Sequence, residues 1–238
     1  MTVNRSANFL LARFPREEYR RLAPLLETVS LRERAVIYEP EGRITHAWFP
    51  LTGVVSILMQ MHDGTLVEAA TVGNEGMVGL PLLIREPTSP YRIIQQVPGD
   101  NLRLPAGVLR DLIETSPELS ALMQRYCQSV LQQTAQTAAC NLLHPVEKRL
   151  CRWLLMTHDR AAADEFYLTQ EVLSIMLGVH RQSVSLAAGA LQQAGFISYR
   201  RGHVRIENRA GLEAASCECY QASRASYARF FPRIDEPA

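Results

Sequence analysis

Residues 168–205 read LTQEVLSIMLGVHRQSVSLAAGALQQAGFISYRRGHVR, and their polar side chains have the types and spacing to hold nucleic acid. His180, Arg181, Gln182, Ser183 and Ser185 crowd the start of one helical segment; Arg200, Arg201, His203 and Arg205 crowd a hairpin a few residues on. Arginine pairs with guanine edges and glutamine with adenine, so the first group suits base edges. A cationic hairpin suits the phosphate backbone. That chemistry requires a short helix laid in the major groove, and the neighbouring residues specify one. Thr169 caps a first helix, with Gln170 and Glu171 in its opening turn. Val172, Leu173, Met176 and Leu177 share one face, and Gly178 sits at the bend, where a positive φ is favoured. Val184, Ala187, Ala188 and Leu191 form the buried stripe of a second helix, leaving His180, Arg181, Gln182 and Ser185 off that stripe. Gly195 ends the helix, and residues 196–199 and 204–206 make a two-stranded wing around Arg200-Arg201-Gly202-His203. A helix pair followed by a hairpin also occurs in domains that never meet DNA. Here the turn glycine, the apolar spacing, the polar opening face and the arginine-rich hairpin agree. Thr169, Gln170, His180, Arg181, Gln182, Ser183, Ser185, Arg200, Arg201, His203 and Arg205 are therefore the expected DNA-binding residues. Gly189 in mid-helix costs about 1 kcal/mol relative to alanine, which points to close packing by another helix.

No other set of residues assembles into an active site. There is no nucleophile–base pairing and no phosphate loop, because the glycines of residues 72–80 precede a strand rather than a helix. No enzyme activity is expected. Five cysteines, at 127, 140, 151, 217 and 219, have no disulfide-framework spacing and fit a reducing cytoplasm. Cys217-Glu218-Cys219 has metal-ligand spacing. No second ligand pair lies near it in the sequence, and on a helix the two side chains would diverge, so it reads as structural and no metal is expected. Cys127 and Cys140 share one helix and could form a thiol switch, although a buried free thiol is the commoner explanation.

The chain of 238 residues is long enough for two cored domains. With 25 basic and 24 acidic side chains its net charge is +1, so the whole molecule is no polycation. Residues 121–238 hold 13 basic and 10 acidic groups, a slight excess in the half that carries the helix pair. No apolar run approaches the ~18 residues of a membrane span, and the start of the chain is too polar for a signal peptide.

The first half has a different texture. Residues 15–27 suggest a short helix. Apolar runs then recur at 36–38, 44–49, 54–61, 66–72, 91–97 and 101–104 between glycine and proline turns, the pattern of an antiparallel sandwich or barrel. Helix resumes at 106–114, and a long helix spans 117–143 with Ser116 as cap and Pro117 in first position. Leu119, Met123, Tyr126 and Val130 mark an apolar seam on it that suits pairing with a second copy; the same seam could instead lie across the chain's own sheets. His144-Pro145 breaks the helix and makes a hinge.

This order of parts, followed by Glu147-Lys148-Arg149-Leu150 and the winged helix, resembles the Crp/Fnr family of bacterial transcription regulators over nearly the whole chain. The resemblance implies an α+β fold: an N-terminal antiparallel β-roll of the cyclic-nucleotide-binding kind at 1–116, a dimerisation helix at 117–143, and a winged helix-turn-helix domain at 144–238. Within the last, the helix-turn-helix falls at about 168–194 and the wing at about 196–207. It implies a homodimer on palindromic double-stranded DNA, a small-molecule effector sensed in the β-roll with Thr134 lining its pocket, and RNA polymerase as partner, the segment 157–165 making that contact or serving as a flexible link.

The departures from the family pattern are informative. Cyclic-nucleotide-binding members carry Gly-Glu and then Arg followed by Ser or Thr. Here Asn74 and Glu75 stand in the comparable segment, Arg85 is followed by Glu86-Pro87, and Arg92 has no hydroxyl after it. A carboxylate beside the phosphate site is electrostatically wrong, which argues against a cyclic nucleotide. An iron–sulfur sensor needs about four cysteines, and none lies in the first half. Haem would require His46 or His62, each more simply a surface histidine. Gln182 stands where many members have Glu and Leu186 where they have a second Arg, so the operator should differ from the familiar one. The alternative function is a sensory module whose winged helix binds a protein rather than DNA.

Overall fold

The computed structural model describes residues 7–161 and 163–231. The outer ends of the first and last expected domains, and Ala162 within the segment 157–165, lie outside the described residues. The chain divides into two compact units, Met1–Thr65 with Thr71–Gln128, and Leu66–Ala70 with Ser129–Ala238.

The first unit is built on antiparallel strands. β1 (Glu27–Leu31), β7 (Gly99–Pro105) and β3 (His46–Pro50) form one sheet in that order. β2 (Val36–Tyr38), β6 (Arg92–Val97) and β4 (Val54–Gln60) form the other in that order; β5 (Leu66–Val72) follows β4 in the chain, with residues 66–70 belonging to the second unit. Residues 54–58 are buried without interruption, as expected for a strand covered on both faces. Phe14 and Phe49 meet edge to face in the core, with centroids 6.0 Å apart. Tyr38 donates to the His46 carbonyl and accepts from Trp48 Nε1 at 3.1 Å.

β1 is absent from the sequence reading, which carries helix to residue 27. Its ETVSL stretch is mostly exposed and is held by backbone pairing with β7, where Glu27 faces Arg103 and their side chains form an ion pair at 2.6 Å. The helix at this point is α1 (Arg16–Leu22), followed by a 3-10 turn. α2 (Ala106–Thr115) and α3 (Pro117–Leu143) follow β7. Ser116 Oγ accepts from Leu119 N at 3.3 Å and donates to Glu18 at 2.5 Å, and that bond holds the Glu18 carboxyl below its usual range.

In the second unit, α4 (Val146–Ala161) forms the centre, with Leu150, Cys151, Leu154 and Leu155 buried. Around it pack α5 (Gln170–Leu177), α6 (Arg181–Gln193), α7 (Arg209–Ala215) and α8 (Cys219–Phe230). The segment 157–165 is less loop than the sequence suggests, because α4 continues through Ala161. The wing has three strands rather than two: β8 (Glu165–Tyr167), β10 (His203–Ile206) and β9 (Ile197–Arg200). Arg201 and Gly202 turn the hairpin with φ of 51° and 85°, the positive values of a primed two-residue loop. A Cβ at Gly202 would lie 2.6 Å from the Tyr167 ring, so the turn requires glycine for space as well as for φ.

Candidate nucleic-acid interface

Thr169 Oγ1 accepts from Val172 N at 3.2 Å and caps α5. Gly178, at φ 61° and ψ 43°, ends α5 in the left-handed region and lets the chain swing into α6. Val172, Leu173, Met176 and Leu177 of α5 and Val184, Ala187, Ala188 and Leu191 of α6 are buried. Arg149 donates to the Leu177 carbonyl and satisfies one of the last acceptors of α5.

What these buried stripes leave outside is a face of α6. His180, Arg181 and Gln182 are exposed at its start, and Leu186, Gly189 and Gln193 continue the exposed side. Leu186 is 68% exposed, a conspicuous value for a leucine with no apolar cover. Gly189 faces open space, with nothing within 4 Å of a Cβ built on it. The close helix packing expected there does not occur. A glycine in an outward stripe instead allows a close approach of another molecule to the backbone.

Two of the expected contact residues are engaged internally. Ser185 Oγ donates to Gln170 Oε1 at 2.7 Å, which ties α5 to α6. Ser183 and Ser185 are half-buried. On the wing, Arg200, Arg201, His203 and Arg205 are exposed. His203 Nδ1 lies 3.1 Å from Glu165 and its ring meets Tyr167 edge-on; Arg205 is 3.9 Å from Glu207. The wing is fixed to α6 by Tyr199 N donating to Gln192 Oε1 at 2.8 Å and Phe196 N to the Leu191 carbonyl at 3.0 Å. Tyr199 donates its hydroxyl to the Leu168 carbonyl, and burial pushes that hydroxyl up to about 12.

The effector candidates form no comparable set. Arg85, 72% exposed, pairs with Glu114 at 3.1 Å, and Arg92 pairs with Glu39 at 3.4 Å. The Asn74 carbonyl accepts from Phe9 N, and Glu75 accepts from Gly73 N at 3.2 Å. Thr134 bonds back to the Val130 carbonyl of its own helix at 3.0 Å. Tyr126 accepts from Met77 N at 2.8 Å and donates to the Met77 carbonyl at 2.7 Å, so its ring closes over Gly76, where any Cβ would collide with it.

The expected dimer seam is spent within the chain. Leu119, Met123 and Tyr126 are 0%, 1% and 2% exposed inside the first unit, which leaves them no surface for a partner; Val130 is half-buried. The open side of α3 holds Gln128, Leu131, Ala135, Ala138 and Leu142.

Residues 148–215 match the Crp-like helix-turn-helix domain. No curated protein matches the chain. Among solved structures, FixK2 from Bradyrhizobium japonicum superposes with a TM-score of 0.68 at 16% identity, over 81% of this chain and 98% of that one. A transcriptional regulator of the CRP family from Thermus thermophilus gives 0.66 at 18% identity, over 79% and 96%. The c-di-GMP-responsive global regulator CLP from Xanthomonas campestris gives 0.64 at 17%, over 81% and 99%. The chain therefore carries a Crp-like helix-turn-helix domain within the fold of Crp/Fnr transcription regulators.

Proposed function

We propose that this protein is a sequence-specific DNA-binding transcription regulator that acts as a homodimer on a palindromic operator. The observation that carries the reading is the outward face of α6, with His180, Arg181 and Gln182 at its opening turn and an arginine-tipped wing fastened to the same helix. Arg181 and Gln182 read bases, while Arg200, Arg201 and Arg205 hold phosphates. Thr169, Gln170 and Ser185 set the geometry of the helix pair, and His180, Ser183 and His203 stay in the set that meets DNA. A palindromic site requires two copies, and the open stripe of α3 from Gln128 to Leu142 repeats at alternating spacings of three and four, the seam of a parallel two-stranded contact. Action on DNA implies the cytoplasm, with RNA polymerase as a partner. Its signal enters through the strand-rich first unit and is not a cyclic nucleotide. Among the described residues no helix is long and apolar enough to cross a membrane.

The test is operator selection from random duplexes, followed by binding across a salt series. Enrichment of a palindrome, with an affinity that falls steeply with salt, is expected from counterion release. Enrichment of no sequence, with no salt slope, would leave the winged helix as a protein-binding module.

A further inference from the structure

The second unit contains a side-chain cluster that DNA binding does not use. Cys140 and His144 lie four residues apart, on one face at the end of α3. Cys217 and Cys219 flank Glu218 in the turn that enters α8, so they do not share a helix and do not diverge. Cys140 Sγ is 3.6 Å from Cys217 Sγ, and Cys219 Sγ is 3.6 Å from His144 Nδ1. One ligand atom from each of the four residues falls within 4.8 Å of all the others.

The two 3.6 Å separations match edges of a tetrahedral zinc site. With Zn–S of about 2.3 Å and Zn–N of about 2.0–2.1 Å, sulfur–sulfur edges come to about 3.8 Å and sulfur–nitrogen edges to about 3.6 Å. A disulfide would require sulfurs about 2.05 Å apart. An iron–sulfur cluster spreads its thiolates around several irons, wider than this group allows.

The surroundings are those of a bound cation. His144 offers Nδ1 to the cluster while its Nε2 lies 3.3 Å from Glu218 Oε2, the carboxylate–histidine arrangement that orients a ligating imidazole. Gln136 Nε2 donates to Cys219 Sγ at 3.0 Å, a bond that supports a thiolate. Arg149 and Arg152, on the neighbouring helix α4, are 8% and 6% exposed, and the Nε of each has no hydrogen-bond partner. Two buried guanidinium groups call for an anion nearby. Three thiolates around a divalent ion supply a net charge of −1.

We propose that Cys140, His144, Cys217 and Cys219 bind one zinc ion, through the three Sγ atoms and His144 Nδ1. The three thiols release their protons to water on binding, and no oxidant is involved. The ion fastens the last turn of α3, across the Pro145 break, to the start of α8.

The test is metal analysis of the full-length protein purified under reducing conditions, then cobalt substitution. One zinc per chain is expected, and cobalt should give thiolate charge transfer and the intense visible bands of a four-coordinate centre. Gln136→Ala should weaken cobalt binding about 10–100-fold, as the loss of an outer partner does, and Cys140→Ser, Cys217→Ser, Cys219→Ser and His144→Ala should each weaken it more. Cys127→Ser and Cys151→Ser should leave it unchanged. Where a ligand variant does not fold, the wild-type cobalt spectrum decides alone. Wild-type protein that takes up neither metal, shows a six-coordinate cobalt spectrum, or holds Cys140 and Cys217 as a disulfide overturns the proposal.

Discussion

At the scale of single residues, the proposed assignment separates reading by α6 from holding by the wing. Arg181→Ala and Gln182→Ala should each lose about 1–3 kcal/mol on the selected operator and much less on scrambled DNA. Arg200→Ala or Arg201→Ala should weaken both DNAs alike and lower the salt slope by about one. Filter binding on the two duplexes checks this, and equal losses from all four variants would make Arg181 and Gln182 phosphate contacts. Gly189 gives a cleaner discrimination, because its Cβ position is empty. Gly189→Ala should raise stability by up to about 1 kcal/mol through helix propensity. If α6 lies on DNA as proposed, the added methyl enters the contact surface, so operator affinity should fall as the melting temperature rises. An affinity that stays constant would show that this stripe does not meet DNA. Tyr38 supplies a pH signature. Burial raises its hydroxyl from 10.0 to about 12, so the folded state keeps a proton that the unfolded chain loses first. Stability is then fully present below pH 10 and declines as pH rises toward 12, by up to about 3 kcal/mol for a two-unit shift. Urea melts at pH 8 and pH 11 should show a decline that Tyr38→Phe reduces.

At the scale of elements, α3 has a buried face and an open face, and the open one is the dimer contact proposed above. Leu119, Met123 and Tyr126 are buried in the first unit, while Leu131 and Leu142 are 63% and 84% exposed. Leu131→Glu should therefore dissociate the dimer in sedimentation without unfolding the chain. Tyr126→Phe orphans the Met77 N–H, which should cost about 1–3 kcal/mol of stability and leave the dimer intact. A dimer unaffected by Leu131→Glu would remove the open stripe as the interface. The sequence showed that this helix has an apolar seam and gave its length, since period and caps are local properties. It did not show which seam faces inward, because that depends on sheets distant in the chain. The same division holds elsewhere. The helix pair was legible from Thr169, Gly178 and the buried stripes, all within a few turns of one another. β1 and β8 were not: β1 is short and largely polar, β8 is only three residues long, and each is ordered by pairing with a strand far along the chain. The Cys140–His144 pair and the Cys217–Cys219 pair are each visible in sequence, but over seventy residues separate them and only the packing of α8 brings them together.

At the scale of the whole molecule, what matters is whether a fold shared with cyclic-nucleotide-type sensors implies their ligand. A cyclic phosphate requires a cation free to meet it, in a cradle of backbone N–H groups. Arg85 and Arg92 each already face a carboxylate, Glu114 and Glu39, in pairs open to solvent and therefore weak, with which a phosphate would have to compete. The segment from Gly73 to Gly79 is held by Tyr126 through both the N–H and the carbonyl of Met77, and ends in a left-handed Gly79 that leads into a 3-10 turn. Opening it would break two buried hydrogen bonds before any ligand contact forms. Cyclic AMP and cyclic GMP should accordingly bind with dissociation constants above about 10 μM, weaker than roughly −7 kcal/mol, in calorimetry of the full chain. Neither should change operator affinity, because a ligand shifts an equilibrium only by its differential affinity for the two states. Tyr126→Phe provides the internal control. If nucleotide binding appears in that variant, the Tyr126 clasp is what excludes the ligand; if it remains absent, the paired arginines are. Tight binding by the unaltered protein would show that Arg85 or Arg92 exchanges its carboxylate for phosphate, and the argument from ion pairing would fail.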